Sequence, residues 1–275
     1  MNKKLLSKFV LLISIFILSF ATVGSPLHTY ASESTTEIPN SPVKIIESSD
    51  TMLIYEIEED GEILRYEEDI KSNKNKTKIE TKVYKEENGK LKLIDNFKTE
   101  INPTNHTDSF SVTQDGTTVI ATKDNSNYDI QHQQVGMSTR AYSPWQKSSF
   151  PKLKLGYRKD FSSKKGQASY STILRSNLSL SDKNFNEFVK RIDSLKTWEK
   201  AIIFDATVIG LIESGIKIFK TKKITLATLL DLGKKFFVPI ATIYNIFNWF
   251  LDYDKATKLF PNLGGTKTTV CNWWC

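Results

Sequence analysis

The chain has 275 residues, of which 39% are hydrophobic and 11% aromatic, and this composition excludes an intrinsically disordered protein. Its length is sufficient for one large domain or two ordinary ones. The net charge is +7, from 38 basic and 31 acidic side chains, but these charges are not spread evenly along the chain.

The first residues have the pattern of a secretory signal peptide. Lys3, Lys4 and Lys8 precede an apolar run over residues 9–20, and the small residues before and at Ala31 suit a signal peptidase. We therefore predict a signal peptide over residues 1–31 and a secreted, extracellular protein. A retained membrane anchor is the alternative, disfavoured because the apolar run is shorter than the ~20 residues that span a bilayer.

Charge divides the remaining chain into two parts. Residues 32–125 contain 12 basic and 20 acidic side chains, a net charge of −8, whereas residues 126–275 contain 23 and 11, a net charge of +12. We predict an acidic domain over residues 32–124, a linker over 125–149 and a basic, mainly helical domain over 150–275. The acidic and basic parts are expected to attract each other.

The acidic part has the alternation of β-hairpins. Three strand pairs are separated by Asp60-Gly61, Asn88-Gly89 and Asp115-Gly116, the dipeptides that favour tight hairpin turns. We expect an antiparallel β-meander with one charged face, packed on its other side only. The charge-rich residues 71–78 are predicted to form a solvated loop.

The polar, Gln- and Ser-rich segment over residues 125–149 lacks periodicity and is interpreted as the linker. Arg140 is a possible processing site for a trypsin-like protease. Further along, Ser181 is predicted to cap an amphipathic helix that ends near Thr197.

A basic segment interleaved with aromatic residues follows the linker. It suits an anionic surface, either bacterial lipid or a cell-wall polymer, and no nucleic acid is expected for a secreted protein. A solvated basic strand or loop is the alternative. The candidate residues for the anionic surface are Lys152, Lys154, Arg158, Lys159, Lys164 and Lys165.

Apolar side chains recur at the helical period between residues 200 and 260, which predicts an apolar helical hairpin or three-helix cluster and an α+β fold overall. Ala206, Gly210 and Ser214 form a small-residue stripe that would admit a partner helix. The apolar faces either contact a membrane or form a buried core. The candidates for membrane interaction here are Phe204, Val208, Leu211, Ile212, Phe219, Phe247, Trp249 and Phe250.

The chain ends in the sequence Cys-Asn-Trp-Trp-Cys. Cys271 and Cys275 are predicted to form a disulfide, because an even pair of cysteines in an oxidising exterior is usually bridged. The bridge either tucks Trp273 and Trp274 into the core or presents them to a lipid headgroup layer.

Motifs of known catalysis are absent from the sequence. After the signal peptide only His106 and His132 remain, and neither has a partner by spacing. No metal-binding, nucleophile-elbow or phosphate-binding motif is present. We therefore expect no enzyme activity, no catalytic residue, no cofactor and no metal. A glycosidase with two carboxylates is the alternative.

The layout of a signal peptide, an acidic strand-rich half and a basic amphipathic half with an aromatic cysteine tail resembles the large, heat-labile secreted bacteriocins of bacilli, the geobacillin-like kind. The resemblance covers the whole chain after the signal peptide and implies killing of related bacteria. It identifies no individual functional residue.

Together these features predict a secreted antibacterial protein whose basic helical half engages an anionic bacterial membrane. The alternative is a secreted, non-enzymatic protein that binds the cell wall or a partner and keeps its apolar helices in its core.

Overall fold

The computed structural model describes residues 41–59, 61–123, 143–150 and 155–269 and has the predicted α+β fold. Its N-terminal part is a seven-stranded antiparallel sheet whose strands are neighbours in chain order. The β-meander is thereby confirmed. Its strands are β1 (Val43–Ser48), β2 (Met52–Glu59), β3 (Glu62–Asn73), β4 (Lys76–Glu87), β5 (Lys90–Pro103), β6 (Ser109–Gln114) and β7 (Thr117–Thr122).

The predicted glycine turns join β2 to β3, β4 to β5 and β6 to β7. Gly61, Gly89 and Gly116 have φ angles of 80°, 73° and 80°, in the left-handed region where glycine is least strained. Asn88 and Asp115, which precede two of them, also have positive φ, as a type I′ hairpin requires. The turns thus lie where the sequence predicts them.

The prediction of a solvated loop over residues 71–78 is wrong. β3 continues to Asn73 and β4 begins at Lys76, so that only Lys74, with φ of 53°, and Asn75 form the turn. Inward-facing Thr77 continues the strand pattern between the charged residues on either side. The lysines conceal a strand because they lie on its solvent face.

The sheet buries one face, as the alternation predicts. The outer face carries charged side chains, with exposed ion pairs such as Lys78 to Glu100 at 2.9 Å. Buried residues of the inner face include Leu53, Tyr55, Tyr66, Glu68, Ile79, Val83, Phe97, Ile101, Val112 and Ala121.

Four helices follow between residues 183 and 259. They are α1 (Lys183–Ala201), α2 (Ala206–Thr221), α3 (Leu226–Phe236) and α4 (Ile240–Leu259). The cap of α1 is Asp182 rather than the predicted Ser181, because the Asp182 carboxylate accepts the backbone N–H of Phe185 at 2.8 Å. α1 packs along α4, where the buried Asp252 accepts hydrogen bonds from Trp198, Arg191 and Ser194.

The C-terminal part also contains a second sheet that the sequence did not reveal. Its short strands are rich in Ser, Gln, Lys and Gly and have no clear apolar alternation. Gly166 in this sheet lies so close to the ring of Phe185 in α1 that no side chain would fit between them. The strand order is β12 (Thr266–Thr269), β11 (Ile173–Ser179), β10 (Lys165–Tyr170), β9 (Gly156–Asp160) and β8 (Gln146–Lys147).

The two parts of the chain share one hydrophobic core. The ring of Tyr55 in β2 meets that of Phe247 in α4 edge to face, with centroids 5.9 Å apart. Two of the three residues of the small-residue stripe of α2, Gly210 and Ser214, face the end of strand β7 and not a partner helix, whereas Ala206 is exposed. A side chain at Gly210 would collide with the carbonyl oxygens of Thr122 and Lys123, and the Ser214 hydroxyl accepts the Thr122 N–H at 3.1 Å.

The end of the predicted linker belongs to this packed structure. Glu199 of α1 is buried and accepts hydrogen bonds from the Ser148 hydroxyl at 2.5 Å and the Ser149 N–H at 2.8 Å. Phe150 is also buried, with its ring centroid 5.3 Å from that of Phe204. Residues 143–150 are therefore attached to α1 and to the start of α2.

A cut in the linker should leave the two fragments associated, because the core joins them. We expect a site-specific protease sequence inserted within residues 124–142 to be cleaved while the fragments co-elute in size-exclusion chromatography. In denaturant the same sample should separate into two species. Fragments that separate under native conditions would show two independently folded domains.

Candidate membrane-contact residues and the helix–sheet interface

The apolar residues predicted to meet a membrane are mostly inside the folded protein. Phe204 and Phe219 are half-buried, and Phe219 packs against the rings of Phe250 and Tyr253. The other six are buried in the shared core. In this folded state they therefore form a buried core and do not face a membrane. They are Val208, Leu211, Ile212, Phe247, Trp249 and Phe250.

Trp249 lies at the centre of an aromatic cluster on α4. Its ring stacks on Tyr253 with centroids 5.3 Å apart, and its indole N–H donates to Glu199 Oε1 at 3.1 Å. The ring of Phe250 rests against Gly215 of α2, where a side chain would not fit. These contacts fix α4 between α1 and α2 and leave no face of Trp249 to solvent.

A buried carboxylate connects the sheet to helix α3. Glu68 lies on the inner face of β3, and its Oε2 accepts the backbone N–H of Ala227 at 3.0 Å. Its Oε1 accepts the hydroxyl of Thr81 at 3.1 Å, while the Tyr55 hydroxyl accepts the N–H of Leu226 at 3.3 Å. The first N–H groups of a helix have no partner within the helix, so β2 and β3 cap α3 from outside.

Burial gives Glu68 an unusual protonation behaviour. Desolvation raises the pKa of its carboxyl group, and hydrogen bonds from Thr225, Ala227, Thr81 and Tyr55 oppose that rise without cancelling it. The pKa of the Tyr55 hydroxyl is also raised, first by burial and then by the charge of Glu68. The folded environment of Glu68 as a whole therefore favours the protonated carboxyl group, although its hydrogen bonds to α3 favour the ionised one.

Polar contacts surround this apolar interface. Asp231 of α3 accepts the hydroxyl of Thr77 in β4 at 2.8 Å and pairs with Lys235 at 2.6 Å. Towards solvent, Lys223 pairs with Asp95 of the sheet at 2.8 Å. Exposed ion pairs contribute about 0–1 kcal/mol each, so the apolar core holds the two parts together and the charges orient them.

The basic segment forms the hairpin of β9 and β10. Arg158 donates to the Gln167 side chain at 2.7 Å and lies over the Trp145 ring, and Lys159 lies over the ring of Tyr157. Lys164 and Lys165 are exposed at its turn. Lys152 and Lys154 lie outside the described residues.

The turn of this hairpin presents Phe161 to solvent, with 71% of its surface exposed. Asp160 holds the turn, because its carboxylate accepts the backbone N–H and hydroxyl groups of Ser162 and Ser163. These hydrogen bonds lower the pKa of Asp160 to about 2. An aromatic side chain flanked by lysines on a fixed turn suits an anionic interface.

Other predicted site residues lie outside the described residues: Ala31, Arg140, Cys271, Trp273, Trp274 and Cys275. Within the described part of the chain, no group of three or more His, Cys, Asp or Glu side chains could hold a metal ion. No described helix combines the length and apolar character needed to cross a membrane.

Sequence reasoning overlooked two exposed apolar residues between the helices, Ile203 and Phe237. A signal was present, since the pairs Ile202-Ile203 and Phe236-Phe237 each place an apolar residue beyond the end of a helix face. The helical period shows which residues of a helix face the core, but it does not show whether a residue in the following turn is buried or exposed.

Scans against protein-family models, curated proteins and solved structures found no match to this chain. The candidate sites therefore rest on the residues and the geometry described above.

We expect Glu68→Gln to change how stability depends on pH. A carboxyl group whose pKa is higher in the folded state favours folding at low pH and loses that contribution as pH rises through the folded value. The free energy of unfolding of the native protein should therefore fall as pH rises above the usual carboxyl value of 4.5, and the variant should lack this decline. Urea unfolding at a series of pH values measures the difference.

Glu67→Gln is the matched control, because Glu67 is next in the chain but lies on the outer face beside Arg65. It should retain the pH dependence of the native protein. Glu68→Ala should lower the free energy of unfolding by about 1–3 kcal/mol, since it leaves buried donors without an acceptor. An identical pH dependence for Glu68→Gln and the native protein would show that Glu68 does not titrate as argued.

Proposed function

We propose that the protein is a secreted antibacterial protein that acts at the bacterial membrane through its basic helical part. The observation that carries the proposal is that the acidic, seven-stranded sheet covers the apolar side of the helical layer. Val208, Leu211 and Phe247 are apolar enough to enter a lipid interface, but they lie in the shared core. The sheet therefore acts as a cover for the membrane-active part.

Attraction to an anionic surface is the first step. Each Lys or Arg near such a surface contributes roughly 1 kcal/mol, and the β9–β10 hairpin offers Arg158, Lys159, Lys164 and Lys165. Exposed Phe161 between them adds apolar contact. This step requires no change in the fold.

Release of the sheet is the second step. The faces of α2 and α3 reach the lipid when β7 and β3 move away, which breaks the contacts of Ser214 with Thr122 and of Glu68 with Ala227. Interfacial burial of the amphipathic faces then replaces burial against the sheet. The buried carboxylate at the interface makes this replacement easier than loss of a wholly apolar contact, since Glu68 regains water.

The layout of the chain supports the same function, since it resembles that of the geobacillin-like secreted bacteriocins. A secreted chain meets water before it meets a membrane, and a cover over the apolar helix faces removes them from water until then.

A second candidate is a non-enzymatic protein that binds the cell wall or a partner protein. The complete burial of Trp249 and Phe250 favours it, because these side chains already fill a well-packed core. In this case the basic hairpin alone meets the polyanionic wall, and the helices never leave the sheet.

Dye leakage from vesicles separates the two candidates. The intact protein should release dye from vesicles rich in anionic lipid, with a rate that falls as salt rises, and should leave zwitterionic vesicles sealed. Glu68→Ala should raise the leakage rate about 5- to 150-fold, the factor that corresponds to a loss of ~1–3 kcal/mol at the helix–sheet interface.

Ile192→Ala provides the control. Ile192 is buried on α1, which packs against α4 and the second sheet, so its loss lowers overall stability without touching the contact between β3 and α3. Leakage that rises equally in both variants would contradict release of the sheet. Sealed anionic vesicles together with binding to purified wall polymer would support the second candidate.

A further inference from the structure

Two turns between helices expose large apolar side chains. Ile203 lies between α1 and α2 and Phe237 between α3 and α4, and each has 80% of its surface exposed. Ile240, the first residue of α4, is exposed as well, whereas Val238 beside it is buried and anchors the turn. Ile203 and Phe237 therefore contribute little to the core.

The two turns lie at the same end of the helical layer. The start of α4 reaches the end of α1, where Asn245 donates to the carbonyl oxygen of Ala201 at 3.5 Å. Gly233 in the last turns of α3 packs against Ile243 of α4 and Leu211 of α2. The ends of α1 and α3 thus meet the beginnings of α2 and α4, which brings Ile203, Phe237 and Ile240 to one end.

Phe237 occupies a position that favours glycine. It closes α3 in the left-handed conformation, with φ of 62° and ψ of 31°. Glycine adopts this conformation without strain and is the common residue there. Neither folding nor solubility favours a strained, exposed phenylalanine, and such outliers are found preferentially at functional positions.

Basic side chains accompany these apolar residues. The ammonium group of Lys123 is 4.4 Å from the centroid of the Phe237 ring, and Lys200 and Lys234 are exposed in the last turns of α1 and α3. Two carboxylates lie nearby: Asp108, 4.0 Å from Lys123, and Asp205, which caps α2. We name Ile203, Phe237, Ile240, Lys123, Lys200 and Lys234 together the helix-end surface.

We propose that the helix-end surface is the part of the folded protein that inserts into the headgroup region of an anionic lipid bilayer. Protruding apolar side chains enter the interface while long lysine side chains extend to the phosphate groups. This inference rests on the proposed action at bacterial membranes and identifies where the intact protein binds before the sheet is released. Lipid fits better than a protein partner, because separate protruding side chains ringed by lysines complement a soft anionic layer.

Sedimentation of the protein without its predicted signal peptide, residues 1–31, with vesicles of anionic phospholipid tests the inference. Phe237→Gly should raise the melting temperature or leave it unchanged, since it relieves the left-handed conformation, yet weaken binding on the order of tenfold, the effect of removing one large apolar side chain from lipid. Phe237→Trp should retain binding, because tryptophan suits the interface.

Ile203→Ser should also weaken binding, whereas its control Ile63→Ser should not, because Ile63 is exposed on the seven-stranded sheet. If the native protein binds anionic vesicles and Phe237→Gly and Ile203→Ser bind equally well, the helix-end surface is not the contact and the proposed function stands. Loss of binding in Phe161→Ser alone would assign the contact to the β9–β10 hairpin. A native protein that ignores anionic vesicles at low salt would overturn both the inference and the proposed function.

Discussion

Burial of the inner face of the seven-stranded sheet is the constraint on which the rest of the structure depends. An antiparallel sheet can leave one face in water, but an inner face carrying Leu53, Tyr55 and Ile79 must be covered. Helices α2, α3 and α4 supply that cover, and they have apolar faces to bury in turn. The sheet and the helices therefore bury each other's apolar faces. The burial of the candidate residues on α2 and α4 follows from this exchange.

The interface combines apolar packing with one polar connection at its centre. A carboxylate buried away from water costs free energy unless it is hydrogen-bonded, and Glu68 meets the donors of Thr81 and Ala227. An apolar residue at this position would leave the Ala227 N–H and the Thr81 hydroxyl without an acceptor. Glu68 makes the interface specific in its geometry and sensitive to protonation, which suits the proposed release of the sheet.

Different regions of the folded protein have different proposed roles. The β9–β10 hairpin and the helix-end surface combine lysines with exposed phenylalanines, Phe161 and Phe237. The outer face of the seven-stranded sheet carries acidic and basic side chains in pairs. An anionic surface would therefore meet the hairpin or the helix-end surface first. The burial of Trp249 and Phe250 means that these larger apolar groups could act only after a change in the packing.

The sequence by itself determined the local elements. Asn88-Gly89 and Asp115-Gly116 predict their turns because such dipeptides favour positive φ wherever they occur. The helical period locates α2, α3 and α4 because it depends only on residues three and four apart.

Only the tertiary structure decided what covers those helices. Glu68 and Ala227 are 159 residues apart, and no local pattern shows that they meet. The small-residue stripe of α2 indicates close approach but not its partner, which is the backbone beyond β7 and not a helix. The short strands of the second sheet have too little alternation to be read, and the exposure of Phe237 follows from a turn that long-range packing sets. Apolar faces look the same in sequence whether a sheet or a membrane covers them, because both remove the same side chains from water.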